Sequence, residues 1–376
     1  MDTVCNRLAD ARSAEWETIP EIVQTAFERL PPQVWDYSCG GAESEVTLRR
    51  NRSAYEYLAF RPRVLRDVRQ RDTSTTFLGT ALSMPVMLAP VGSIALFDPD
   101  GALTCARAAK SAGVAAFVGT VSSPSLEVVS AGCDAPLFFQ LYLTDVRQRT
   151  EALVRRAEDA GYKGICLTVD SAVYGRRERD IHNRFRPRER EKPNVAGMST
   201  KDADLFRAGA SWEDLEWLCA VTSLPVMVKG IMNPDDAVLA VEHGASAIYV
   251  SNHGGRQLDH NAATLEVLPE IAAAVAGRVE VLADGGVMRG TDVLKMLALG
   301  ARAVLIGRLM AWGLAAGGQA GLARALEILR EEILVNMANV GVSSVHELTP
   351  SLLRPTVPPH RPWPTDLWGR PTSTVR

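Results

Sequence analysis

Cysteine is scarce in this chain of 376 residues: Cys5, Cys39, Cys105, Cys133, Cys166 and Cys219 lie scattered, with no CxxC pair. That excludes a zinc ribbon or a disulfide framework and suits a reducing compartment. An excess of one charge is also lacking. Forty-one Lys and Arg against 44 Asp and Glu give a net charge of −3, so no bulk basic surface is available for nucleic acid. No uninterrupted apolar run reaches the roughly 18 residues of a membrane helix. The opening residues MDTVCNRLADARSAEWETIP carry acids and no apolar segment, so no signal peptide is expected and a soluble cytoplasmic protein is. What the chain does have is 47% hydrophobic and 23% charged residues, enough apolar material for a large core.

That material is organised as a repeated unit. Short apolar runs recur at 85–90 (PVMLAP), 114–119 (VAAFVG), 136–141 (PLFFQL), 164–169 (GICLTV), 225–230 (PVMVKG), 246–251 (SAIYVS), 279–284 (VEVLAD) and 303–307 (AVLIG). Each reads as a strand buried on both faces. Stretches such as GALTCARAAKSAG and RTEALVRRAEDAG follow them, with apolar residues at helical spacing and a closing glycine. Eight such units predict a (β/α)8 TIM barrel. An open doubly wound sheet is the alternative, but the first unit continues as PVGSIALFDPDG, which is not the GxGxxG fingerprint. The chain therefore reads as one domain over 1–376. Within it lie an N-terminal helical extension (1–84), the barrel (85–340), a long charged loop after strand four (171–211) expected to act as a lid, and an extended tail (350–376) with seven prolines.

Barrel enzymes carry their chemistry at the C-terminal ends of the strands. Here those ends bear Pro90, Val91 and Gly92; Gln140 and Tyr142; Thr168 and Asp170; Lys229; Ser251, Asn252 and His253; Asp284, Gly285 and Gly286; Gly307 and Arg308. Caps and turns explain one or two such residues, not a set at nearly every strand end. A lysine in an apolar strand needs an anionic partner, or serves as a Schiff-base amine. His253 beside Arg256 suits a base next to an anion clamp, with Asp170 to orient the histidine and Arg177 following shortly after. The glycines and Arg308 after strands seven and eight fall where this architecture binds phosphate.

Taken together, VSNHGGRQLD, LTVD with GRRERDIHNRF, FFQLY, LPVMVKG and ADGGVMRGTDVLKMLALGARAVLIGR resemble the FMN-dependent 2-hydroxy acid oxidase and dehydrogenase family. Glycolate oxidase, lactate oxidase, mandelate dehydrogenase and hydroxymandelate oxidase are members. The N-terminal VWDYSCGGAESEVTLRRNRSAYEYLAFRPRVLRDV is similar to that family's entry segment, and the resemblance runs from Ile19 to about residue 350. It implies FMN as cofactor, a small 2-hydroxy acid as substrate, oxygen or another electron acceptor as second partner, and a homo-oligomer, tetrameric by analogy. His253 would be the catalytic base, paired with Asp170. Arg177 and Arg256 would clamp the substrate carboxylate, while Tyr37 and Tyr142 would hydrogen-bond the substrate. Lys229 would sit near the flavin N1–O2 locus. Pro90, Val91 and Gly92 would line one flavin face, and Gln140, Thr168 and Ser251 would bond the ring edge and ribityl chain. Asp284 would hold ribityl hydroxyls, and Gly285, Gly286, Gly307 and Arg308 would form the phosphate end.

Four positions depart from the family's pattern. Met288 stands where arginine is usual, so one phosphate contact is either lost or taken over by Arg289. Gly119 replaces a flavin-contacting serine, with Thr120 beside it as a substitute. Gly92 lacks a methyl group common in the oxidases, and Tyr174 replaces an aliphatic residue of the substrate pocket. Gly92 and Tyr174 together point to a bulky or aromatic, mandelate-like acid. The residues leave open whether hydrogen leaves as hydride or proton, and whether the outcome is peroxide release, transfer to a non-oxygen acceptor or oxidative decarboxylation. Rival readings are a Lys229 Schiff-base aldolase, another flavin barrel such as the type 2 isopentenyl diphosphate isomerase, and a non-catalytic binding protein on the same fold.

Overall fold

The computed structural model describes residues 16–144, 146–186, 193–195 and 207–358. Eight parallel strands close into a barrel: β1 (Val86–Leu88), β2 (Ala116–Gly119), β3 (Leu137–Leu141), β4 (Ile165–Thr168), β5 (Val226–Ile231), β6 (Ala247–Val250), β7 (Glu280–Ala283) and β8 (Ala303–Ile306). Neighbours in sequence are neighbours in the sheet, and Val304 of β8 pairs with Val86 of β1 to close the cylinder. All eight expected strands are present, and the open-sheet alternative is excluded.

Two apolar layers follow from the alternation of side chains along a strand. One phase fills the barrel with Met87, Phe117, Phe138, Cys166, Met227, Tyr249, Leu282 and Leu305. Phe77, from the hairpin formed by Thr75–Phe77 and Thr80–Leu82, plugs the end where the strands begin and packs on Phe138. The other phase meets the surrounding helices, among them Gly101–Ala112, Arg147–Asp159, Thr264–Val275, Gly290–Ala298 and the long Arg308–Val340.

The same alternation places the chemistry. Two residues beyond the interior positions Phe138, Cys166, Met227, Tyr249, Leu282 and Leu305 come Gln140, Thr168, Lys229, Ser251, Asp284 and Gly307. All six therefore lie on the inward phase at one rim.

The N-terminal extension packs against that rim. Its helices are Ile19–Arg29, Pro32–Cys39 and Val46–Ser53, the first closed at its start by a capping box between Thr18 and Glu21. Asn51 and Asn252 exchange side-chain hydrogen bonds of 2.8 Å, joining the third helix to the turn after β6. In the segment after β4 the described residues contain the helix Glu178–His182 and the turn Pro193–Val195. The charged run Arg188–Lys192 lies outside the described residues. The start of the tail makes a short turn at Pro350–Leu352 and is then extended, Leu353–Pro355 pairing antiparallel with Leu58–Phe60; residues from 359 onward lie outside the description. Among the described residues no helix is long and apolar enough to cross a membrane.

Candidate active site

At the rim the turn after β6 is unusual backbone. His253, Gly254 and Gly255 all take positive φ, at 57°, 62° and 74°. Glycine is required at the third position, where a Cβ would come within 2.6 Å of the Leu48 backbone N. Asn252 and Ser251 hold the turn, their side-chain oxygens accepting from the backbone N–H groups of Gly255 (3.2 Å) and His253 (3.1 Å). The turn aims the His253 ring so that Nδ1 lies 2.9 Å from Asp170 Oδ1. Asp170 also accepts from Ser171 Oγ at 3.0 Å, and its Oδ2 lies 3.5 Å from Lys229 Nζ. Gly230, at φ +114°, admits this approach, since a Cβ there would stand 2.6 Å from Asp170 Cβ.

The electrostatics follow from burial and these partners. Burial alone would raise the Asp170 carboxyl, but His253 and Lys229 together hold it well below the usual carboxylate range. Burial pushes His253 below the ordinary histidine value and Lys229 adds to that, against the opposing pull of Asp170. The ring is therefore neutral at pH 7. With Nδ1–H donated to Asp170, Nε2 is left as a proton acceptor. Burial disfavours the Lys229 ammonium, yet Asp170 and then Asp284 outweigh it and raise the group above the normal lysine range. A lysine held protonated in this way is the opposite of what a Schiff-base nucleophile needs, so the geometry argues against the aldolase alternative.

Three guanidiniums gather opposite. Arg177 donates from Nε to the Arg256 carbonyl (3.3 Å) and lies over the Tyr174 ring at 4.1 Å from its centroid, bonded to the Tyr174 hydroxyl. Arg256 Nη1 donates to the carbonyls of Tyr37 (2.7 Å) and Gly40 (2.8 Å). Arg308 donates to those of Ser38 (3.1 Å), Gly254 (2.9 Å) and Gly40 (2.8 Å). Helix Pro32–Cys39 thus supplies its otherwise unpaired C-terminal carbonyls to two cations. Among the described residues none of the three forms an ion pair with a carboxylate. Burial, reinforced by Arg256, lowers Arg177 and pushes Arg308 down to about 9. Cations crowded in this way call for an anion.

A cavity of about 500 Å³ joins these groups. It is lined by Tyr37, Pro90, Val91, Gly92, Gln140, Tyr142, Tyr174, Arg177, Lys229, His253, Arg256, Asp284, Gly285, Gly286, Gly307 and Arg308, all expected from the sequence. Asp170 stands behind His253. Three expected contacts lie elsewhere. Thr168 does not line the cavity; its Oγ1 accepts from Gln140 Nε2 at 3.0 Å, so it positions Gln140. Ser251 is fully buried and supports the His253 backbone. Arg289 pairs with Glu332 at 2.7 Å on the adjoining long helix, and Met288 lines the cavity instead. The space beyond Gly92 is shared with Val121, whose Cγ2 lies 2.8 Å from where a Cβ would stand. Thr120 does line the cavity, but its hydroxyl is engaged with the Gln140 carbonyl (2.7 Å) and the Tyr142 N–H (3.0 Å). Sequence reasoning missed Val121, Arg52, Gln257 and Tyr249. Only Tyr249 left a signal, a hydroxyl inside an apolar strand.

The donor set fits FMN. Asp284 Oδ1 is buried without a hydrogen-bond partner, as an acceptor for ribityl hydroxyls would be. Arg308, Gly286 and Gly307 line the same cavity and suit a phosphate.

Comparison with known proteins gives the family and the same fold. The FMN-dependent dehydrogenase family matches residues 26–355. The L-lactate oxidase of Nostoc sp. is 44% identical over 352 residues, covering 89% of this chain and 96% of that protein. Glycolate oxidase 3 of Arabidopsis thaliana is 44% identical over 349 residues, covering 89% and 95%. Among solved structures, a mandelate oxidase variant with (S)-mandelic acid superposes with a TM-score of 0.85 at 41% identity, covering 91% of this chain and 99% of that one. A variant of an active (S)-mandelate dehydrogenase chimera gives 0.86 at 36% identity, covering 90% and 99%.

Proposed function

The chain belongs to the family of FMN-dependent 2-hydroxy acid oxidases and dehydrogenases, and from that premise we propose that it oxidises a bulky, mandelate-like 2-hydroxy acid to the 2-oxo acid with oxygen as acceptor. The enzyme is an FMN-dependent oxidoreductase acting on CH–OH. The observation that carries the site assignment is the convergence of the His253–Asp170 pair with Arg177 and Arg256 on one cavity.

Arg177 and Arg256 bind the substrate carboxylate, since the first is buried, the second half-buried, and neither is paired with a carboxylate. Tyr37 and Tyr142 orient the substrate by hydrogen bonds. His253 Nε2 takes the proton, and Asp170 stabilises the imidazolium that results. Asp284 holds the ribityl chain, Gly285, Gly286, Gly307 and Arg308 the phosphate, and Pro90, Val91, Gly92 and Gln140 border the ring. Lys229 supplies positive charge next to the ring. FMN, when bound, would accept the two electrons and the second hydrogen that the substrate loses. Tyr174, 60% exposed at the cavity mouth, and the small Gly92 support a large substrate side chain. We treat residues 1–376 as one catalytic domain, cytoplasmic and a homo-oligomer, a tetramer by analogy with relatives.

Anaerobic mixing with glycolate, lactate and mandelate, followed by air, tests the reading. Mandelate should bleach the flavin fastest, and air should restore the colour with release of peroxide. Glycolate as the best substrate would refute the substrate assignment, and failure of air to restore colour would refute the acceptor.

A further inference from the structure

Beneath the rim one further polar side chain touches this site. Tyr249 is fully buried inside the barrel, next to Phe117. It lies in register with Lys229 on β5 and Leu282 on β7, directly beneath the rim. Its hydroxyl donates to Asp284 Oδ2 at 2.8 Å, while Asp284 Oδ1 stays buried and without a partner. Its ring centroid lies 5.4 Å from Lys229 Nζ. Two carboxylates, Asp170 and Asp284, thus share the neighbourhood of one ammonium, and only Asp170 is paired with it, at 3.5 Å.

We infer that Tyr249 is a positioning residue for the cofactor: its O–H pins one oxygen of Asp284, presents the other to the ribityl chain, and keeps the carboxylate from turning onto Lys229. The inference rests on the roles proposed above for Asp284 and Lys229. A buried carboxylate that loses its donor turns toward a charge nearby. Lys229 is such a charge: its ammonium lies 5.4 Å from the Tyr249 ring and is favoured by Asp284. Asp284 would then leave the ribityl chain and offset the positive charge beside the flavin.

Tyr249→Phe, Asp284→Ala and the double variant form the test, with FMN titrated into each apoprotein and the midpoint potential measured on the reconstituted enzyme. Tyr249→Phe should weaken FMN binding about tenfold, the usual scale for a hydrogen bond to a charged group, and should make the potential more negative. In the Asp284→Ala background it should add nothing further. A purely structural role would lower the melting temperature of the apoprotein and leave the potential unmoved. Unchanged affinity and potential in Tyr249→Phe, or effects that simply add in the double variant, would overturn the inference while leaving Asp284 its role. FMN binding in Asp284→Ala as tight as in wild type would instead overturn the reading of Asp284, and the inference with it. If Asp284→Ala does not fold, the potential of Tyr249→Phe alone decides: a more negative value supports the inference and an unchanged one overturns it.

Discussion

Replacing Asp170 with Asn removes the negative charge that faces His253 at 2.9 Å and Lys229 at 3.5 Å while keeping the size of the side chain. When His253 accepts a proton it becomes a cation among Lys229, Arg177 and Arg256. For charges about 4 Å apart in a medium of effective dielectric about 20, the lost attraction is about 4 kcal/mol. At about 1.4 kcal/mol per decade, flavin reduction should slow about a thousandfold. Lys229, no longer offset, makes that a lower bound. Asp170 does not line the cavity, so the protein should stay yellow. The pH profile separates this from general damage. Asp170 is the group that raises His253 against burial, so its removal lowers the histidine further, and the acid limb of the rate profile should move to lower pH as the maximum rate falls. Stopped-flow anaerobic reduction across pH 5–9 measures both. A rate within tenfold of wild type, or an acid limb displaced upward, would refute the reasoning.

Other expectations follow from the same geometry. Gly92→Ala drives a methyl group toward Val121 and should lower kcat/KM for mandelate more than for lactate, with Val121→Ala restoring it; equal losses for both acids would contradict a shared space over the ring. Arg308→Met should weaken FMN at least a hundredfold and riboflavin little, because only FMN carries the phosphate that suits this guanidinium, held by backbone carbonyls but paired with no carboxylate; fluorescence titration of the apoprotein with both compounds measures this. His253 sits below its ordinary value of 6.5 in the folded protein, so on acidification from pH 7 to 5 the unfolded chain binds the extra proton first and stability falls. In His253→Ala that part of the slope should vanish from thermal melts.

The barrel was legible because strands buried on both faces read as short apolar runs, and their register then dictates which residues meet at the rim. Lys229 and Asp284 follow from that rule alone, whereas His253 sits in the turn after β6 and Arg308 opens the long helix after β8. What it does not fix is whether a polar rim residue faces the cavity or serves a neighbour. Thr168 accepts from Gln140 and Ser251 from the His253 backbone, bonds made with partners 28 residues away and 2 residues away. Arg289 turns to a neighbour for another reason. Its partner Glu332 arrives on the long helix after β8, whose path no local pattern announces. Val121 escaped notice because an apolar residue in a loop carries no chemical signal, although its contact with Gly92 shapes the substrate space.

The central claim is that His253, and not the cofactor environment in general, takes the substrate proton. Mixing His253→Ala holoenzyme with a saturating 2-hydroxy acid under nitrogen tests it most directly. The expected result is an intact flavin spectrum that fails to bleach on the wild-type timescale, slowed by at least three decades; bleaching at a rate near that of wild type would rule out His253 as the base.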